Sequence, residues 1–275
     1  MTFGKQISLY DATPDQFYDL MSLEEMREHE WDVSWSGGKD STATLILMHE
    51  NNIRVRQVTY VRMMYDDVLP ATLPVMTDFV DRAIETLRSW GYEVVVVKSK
   101  KSAVEVRDSV YFKSIYPTRN GKKYGITGFS RGQCNMTKSK TEAVRAAIGD
   151  GRWQMIGYAA DETKRLHRLG GQRQSILATL GIYEADTFDL CRRYNLLSPL
   201  YSLGMERDGC FFCPSCAKRE REYLHENHPE LIALIYDLIE QTDAPIEYMP
   251  NCWIHDYIEH GHELRESQKG LNSSS

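Results

Sequence analysis

Trp31-Asp32-Val33-Ser34-Trp35 runs directly into Ser36-Gly37-Gly38-Lys39-Asp40-Ser41, and that hexapeptide into the apolar run 42–49, where Leu45, Ile46 and Met48 recur at helical spacing. A β-branched and aromatic segment, a tight Gly-Gly turn and a helical pattern read as strand, loop and helix. Such a junction aims several backbone N–H groups and the positive end of a helix dipole at one point. The glycines permit backbone conformations and close approach that a Cβ would block. Lys39 adds a mobile cation, and Ser36 and Ser41 add hydroxyl donors suited to phosphate oxygens. The stretch therefore predicts a phosphate cradle. Its Gly-to-Gly-Lys spacing is shorter than a Walker loop requires, and the third glycine of a dinucleotide fingerprint is missing.

Outward from this loop the chain alternates strand and helix signals. Residues 53–64 are strand-like through Val55, Val58, Tyr60 and Val61, and 77–90 form a helical pattern with Phe79, Val80, Ile84 and Leu87 on one face. Gly91-Tyr92 stops that helix before 93–97, an almost wholly apolar strand of the buried kind. The β-α-β-α-β order argues for a doubly wound, Rossmann-like α/β fold, its mostly parallel sheet flanked by helices. Residues 138–148 read as helix, 153–157 as strand, and 174–181 and 187–194 as short helices or connectors. The segment 116–132, rich in Pro, Gly and Lys, reads as a loop. Residues 219–240 carry a strong amphipathic pattern, with a break at His228-Pro229. The expected division is a helical N-terminal extension at 1–30, a nucleotide-binding α/β domain at 31–200 and a helical, cysteine-bearing C-terminal segment at 201–275.

Composition sets bounds on partners. The 275 residues are 42% hydrophobic, enough for a substantial core, and no run has the length of a membrane span. The acidic N-terminus lacks a signal-peptide pattern, which points to the cytoplasm and away from membranes. The net charge of −6 conceals an asymmetry, since eleven of the 33 Lys/Arg but only Glu105 and Asp108 of the 39 acids fall between Lys98 and Lys140. That segment reads as a basic mouth for a polyanion, either a nucleotide or a nucleic-acid backbone.

Three of the six cysteines, Cys210, Cys213 and Cys216, form a Cys-x2-Cys-x2-Cys array. In a reducing compartment this clustering favours a metal or cluster site over a disulfide framework. A tetrahedral zinc or a cubane iron–sulfur cluster needs a fourth ligand, for which Cys134 is the best candidate and His225 or His228 are substitutes that would favour zinc. Cys191 and Cys252 are isolated and read as buried hydrophobes.

The hexapeptide SGGKDS resembles the pyrophosphate loop (PP-loop) of the ATP-pyrophosphatase and adenine-nucleotide alpha-hydrolase superfamily. Further segments resemble its phosphoadenosine phosphosulfate (PAPS) reductase-like branch: Arg131-x-x-Cys134 with Lys138, Gly157-Tyr-Ala-Ala-Asp161-Glu162-Thr163-Lys-Arg165, Ala185-Asp-Thr-Phe-Asp189, and Pro199-Leu-Tyr201-x-x-Gly204-x-x-Arg207-x-Gly209-Cys210-x-x-Cys213. The matches span roughly residues 31–216. The chain departs from the sulfonucleotide reductases proper: it lacks their C-terminal Glu-Cys-Gly-Leu-His segment, has Cys134 where cluster-bearing members have a Cys-Cys pair, and reads Tyr158-Ala159 where the branch often has Arg. It is more similar to PP-loop proteins that pair the loop with a four-cysteine cluster and work in sulfur insertion.

The resemblance implies an enzyme that splits ATP between the α and β phosphates and adenylates an acceptor. Ser36, Gly37, Gly38, Lys39, Asp40 and Ser41 would bind the nucleotide. Lys39, Asp40 and Ser41 would be catalytic, with Asp40 holding the loop or binding Mg²⁺ through water. The adenine would lie near Trp35 and Tyr60, Val61 and Arg62. Arg131, Lys138, Lys140, Asp161, Glu162, Arg165 and Arg207 would bind phosphates or the acceptor. Cys134, Cys210, Cys213 and Cys216 would hold a [4Fe-4S] cluster, with Zn²⁺ as the alternative. The implied partners are ATP or a PAPS-like adenosine nucleotide, an anionic acceptor with DNA and RNA among the candidates, a sulfur-donor protein and a second copy of the chain. Two other readings are a true sulfonucleotide reductase and a non-catalytic nucleotide- or nucleic-acid-binding module.

Overall fold

The computed structural model describes residues 19–106, 115–117, 123–125, 136–213, 216–240, 253 and 255–261. Helix α1 (Leu23–Arg27) precedes β1 (Trp31–Trp35), and the glycine turn leads into α2 (Lys39–Glu50). Next come β2 (Val55–Arg62), α3 (Pro74–Ser89), β3 (Val94–Lys98) and a short α4 (Ala103–Val106). Strands β4 (Ile115–Pro117) and β5 (Lys123–Gly125), helix α5 (Met136–Ile148), β6 (Gln154–Met155), α6 (Thr163–Leu166), β7 (Arg173–Gln174), α7 (Ile176–Thr179) and α8 (Glu184–Arg193) follow. A 3-10 turn at Pro199–Tyr201, α9 (Lys218–Asn227) and α10 (Pro229–Glu240) complete the labelled elements.

Five strands form one parallel sheet in the order β3-β2-β1-β6-β7. The first strand thus lies inside the sheet, with the strands that follow it laid down on one side and the later ones on the other. In register, Val33 faces Val58 of β2 and Met155 of β6. That reversal of winding opens a crevice at the carboxyl ends of β1 and β6, where doubly wound sheets place their ligands. Helix α2 starts there. It is buried nearly all round, from Thr42 to Met48, and packs on β1, α7 and α8, so it behaves as a core helix rather than a surface one. Trp31, Val33, Trp35, Leu45, Ile46, Val58, Leu87 and Met155 form much of the core around it.

Several expectations shift in detail. The valine-rich strand β3 is an edge strand, and Val96 is 40% exposed. Its lack of alternation therefore does not signal burial on both faces. The reading of 116–132 as plain loop is corrected where the structure describes it, because β4 and β5 pair antiparallel, Tyr116 opposite Tyr124. In the N-terminal extension the described helix is confined to α1, capped by Ser22 with Glu25 returning to the Ser22 N–H. The break between α9 and α10 falls at His228-Pro229 as expected, with Pro229 as the first residue of α10.

The chain forms two compact units, each assembled from separated segments: 1–61, 78–97 and 143–201 in one, and 62–77, 98–142 and 202–275 in the other. The first carries the sheet and the glycine turn, and the second carries the Cys-x2-Cys-x2-Cys array. No described helix is long and apolar enough to cross a membrane.

Candidate active site

The turn after β1 is closed by its own hydrogen bonds. Gly37 sits at φ +81°, a left-handed conformation that makes glycine the residue of choice. Ser41 Oγ donates to the Gly38 carbonyl (3.1 Å) and accepts from the Ser36 N–H (3.2 Å). The Ser36 hydroxyl lies 3.1 Å from Ser41 Oγ and accepts from the Gly38 N–H at 3.3 Å. Thr42 Oγ1 also donates to the Gly38 carbonyl and accepts from Trp35 Nε1. The two serines thus brace the loop, and the amides of the first turn of α2 form its donor set. The Lys39 N–H lies 3.4 Å from the Tyr201 hydroxyl, whose pKa burial raises, so that oxygen stays protonated and keeps a proton to donate.

Lys39 is the centre of the charge arrangement. Its side chain is only 7% exposed, and Nζ lies 2.7 Å from Glu184 Oε1 and 2.9 and 3.0 Å from the two Asp40 oxygens. Burial alone would lower its pKa, but the hydrogen bonds to Glu184 and Asp40 more than compensate and the ammonium stays charged. The same bond lowers the Glu184 pKa. Thr187 Oγ1 donates to Asp40 Oδ1 at 3.2 Å, the Phe188 ring lies 5.4 Å below the ammonium, and the buried Cys191 thiol donates to the Lys39 carbonyl. Glu184, Thr187, Phe188 and Cys191 follow the spacing that lines one helix face, so one face of α8 is turned onto Lys39-Asp40.

On the other side of the turn the strand β6 leads to Gly157. A Cβ there would sit 2.9 Å from Asp40 C and Ser41 N, and 3.0 Å from Asp40 O. Its φ is ordinary, so the demand for glycine is steric: the loop after β6 lies against the first turn of α2. Glu184, Thr187, Tyr201 and the steric role of Gly157 were not assigned from sequence. Gly157, Thr187 and Tyr201 lie inside segments quoted for the resemblance, whereas nothing local marks Glu184.

The remaining expected residues divide sharply. Trp35 is 1% exposed and pairs with the 4%-exposed Tyr60, ring centroids 5.4 Å apart, and Val61 is equally buried. Any role for these positions toward an adenine would therefore run through backbone rather than open aromatic faces. Asp161 Oδ1 accepts from the Glu184 N–H (3.1 Å) and so fixes the start of α8. Glu162 accepts from the Ala159 N–H and pairs with Arg165, whose guanidinium lies over the Tyr158 ring. Residues 161–165 line an open depression of about 310 Å³. Lys138 and Lys140 lie on α5, the first exposed and the second half-buried. Arg131 and Cys134 lie outside the described residues, as does Cys252.

The second compact unit holds the cysteine loop. Phe211 and Phe212 are buried against Tyr65, and the Phe211 N–H donates to the Ala71 carbonyl. Successive backbone bonds, Cys213 N to Cys210 O and Cys216 N to Cys213 O, wind the array. The indole N–H of the buried Trp253 donates to Cys213 O at 3.0 Å. Arg207 Nη2 lies 3.5 Å from Cys213 Sγ, and Arg221 Nη1 lies 3.9 Å from Cys216 Sγ. Burial pushes the Asp208 carboxyl up to about 6, and its Oδ1 is buried with no hydrogen-bond partner among the described residues. Among the described residues no three Cys, His, Asp or Glu side chains gather to hold a metal ion, so the expected ligand set is not assembled from them. The two histidines held in reserve have carboxylate partners: His225 lies 2.8 Å from Asp256 and His228 lies 3.1 Å from Glu230. Cys191 is buried, as expected, and burial pushes its thiol up to about 12.

No protein-family model matches this chain, and no curated protein does. Among solved structures it is similar to the U34-tRNA thiolase NcsA from Methanococcus maripaludis with its [4Fe-4S] cluster, at 16% identity and a TM-score of 0.44, over 81% of this chain and 74% of that one.

Proposed function

We propose that this protein is a PP-loop ATP pyrophosphatase that adenylates an anionic acceptor, as one step of sulfur transfer or nucleic-acid modification. The observation that carries the reading is the glycine turn of residues 36–41 at the winding reversal of a parallel sheet, with the amides of α2 and a buried, charged Lys39 converging there. Within the superfamily the sequence segments at 131–138, 157–165 and 199–213 favour the PAPS reductase-like branch.

In this reading an acceptor oxygen attacks the α-phosphorus of ATP. The bond from that phosphorus to the α–β bridging oxygen breaks, and its electron pair leaves with pyrophosphate. The N–H groups of residues 37–41 and the Lys39 ammonium stabilise the charge growing on the departing group, an arrangement fixed before the reaction begins. Asp40, held by Lys39 and Thr187, would take a Mg²⁺ ion through water. Tyr201 and Gly157 keep the first turn of α2 in position.

The cysteine loop suits an anionic sulfur-bound group, because Arg207 and Arg221 direct N–H donors at two sulfurs. Cys210, Cys213 and Cys216, with Cys134 as fourth ligand, would hold it. An iron–sulfur cluster bound there would supply soft sulfur chemistry, and zinc would supply a structural tie.

The test is pyrophosphate release from ATP with candidate RNA, DNA and small acceptors. The reading expects release that Lys39→Ala abolishes. Tight ATP binding with no pyrophosphate for any acceptor would favour a nucleotide-binding module instead.

A further inference from the structure

The three N–H donors of the Lys39 ammonium face three carboxylate oxygens: Glu184 Oε1 at 2.7 Å and the two Asp40 oxygens at 2.9 and 3.0 Å. An ammonium has no fourth donor. A phosphate oxygen can therefore reach Lys39 only by taking the place of one of these partners. They are not equally fixed. Asp40 is the residue next to Lys39, sits in the first turn of α2 and is held by Thr187 Oγ1. The Glu184 side chain is 58% exposed and arrives from α8, 145 residues along the chain. Water can take over the Glu184 carboxylate when it lets go, whereas Asp40 would remain next to the cation. Glu184 is also an anion beside the place where phosphate charge must accumulate. Its backbone is tied down, since its N–H donates to Asp161 Oδ1, so release is confined to the side chain.

Building on the phosphate-loop reading, we infer that Glu184 is a positioning residue that competes with the nucleotide's phosphates for Lys39. It keeps the lysine charged and ordered, and it yields to a phosphate at a cost in affinity. The residue thereby sets how much negative charge a ligand must bring to occupy the loop. A polyphosphate can displace it, and a nucleoside without phosphates gains nothing from doing so.

The experiment measures binding of ATP and of adenosine to the full chain by calorimetry, for wild type, Glu184→Gln, Glu184→Ala and Lys39→Ala. Both Glu184 variants are expected to bind ATP about two- to fivefold more tightly, the range of an exposed ion pair. Adenosine binding is expected to stay unchanged in both, a selectivity that a loss of folding would not produce. Unchanged or weaker ATP binding in both variants, with Lys39→Ala still weakening it, would overturn the inference while leaving the phosphate-loop reading intact. ATP binding that is indifferent to Lys39→Ala would overturn both.

Discussion

The glycine turn and the cysteine loop are both short, chemically rich segments, yet the structure treats them in opposite ways. At the turn, polar groups find one another. The serines brace the loop, Lys39 meets two carboxylates, and Asp40 meets a lysine and a threonine. In the cysteine loop, charged donors approach sulfur, and Asp208 Oδ1 is buried without a partner among the described residues. The first arrangement is complete in itself, and a ligand must compete to enter it. In the second, the arginines are shared between sulfur and carboxylates, Arg207 also lying 3.9 Å from Glu220 and Arg221 3.8 Å from Asp256. The difference teaches that one region completes its polar contacts within itself, whereas the other leaves a buried carboxylate oxygen without a partner among the described residues.

The sharpest way to break this contrast is at Lys39. Lys39→Ala is expected to lower the rate of pyrophosphate release by about 100-fold or more, the scale of losing a preorganised charge-stabilising group. Metal content should be unchanged, as read by metal analysis of the purified variant. Next in size, Cys213→Ser should reduce bound iron or zinc to near background, while ATP affinity stays within about twofold, as for independent sites. Coupled loss of both properties in either variant would dissolve the distinction between the two regions.

A smaller effect sharpens the description of the turn. Gly157→Ala sets a methyl group 2.9 Å from backbone atoms of Asp40 and Ser41. It is expected to destabilise the protein by about 1–3 kcal/mol, the usual range for overpacking, as measured by the urea midpoint. An unchanged midpoint would show that the loop after β6 does not brace α2.

The smallest effect concerns Cys191. A thiol with its pKa raised by burial holds its proton in the folded state when the unfolded chain has already lost it. Stability from this group is therefore present below pH 9 and falls as pH rises from about 9 to about 12. Cys191→Ala should flatten that slope, as read from the urea midpoint measured against pH.

The parts of the site that were legible in the sequence are those made by neighbours. Strand, Gly-Gly turn and helix follow one another within twenty residues, and the alternation of strand and helix signals implies parallel crossovers. The partners that complete the site were hidden by distance: Glu184 reaches Lys39 across 145 positions, and Thr187 reaches Asp40 across 147. No local pattern marks an exposed glutamate at the start of a helix as the partner of a lysine on another. Strands β6 and β7 have two residues each, too few to show a period. The four valines of β3 misled for the reverse reason, since hydrophobicity alone does not say which strand ends a sheet. The cysteine spacing was plain, but spacing alone does not gather side chains, and the fourth ligand it calls for, Cys134, lies outside the described residues.

The most direct measurement is a crystal structure with an ATP analogue whose α–β bridge cannot be cleaved. The account predicts its β and γ phosphates within hydrogen-bonding distance of the N–H groups of residues 37–41 and of Lys39 Nζ, with the Glu184 carboxylate turned away from that lysine. An analogue bound elsewhere, with the Lys39–Glu184 pair intact, would contradict it.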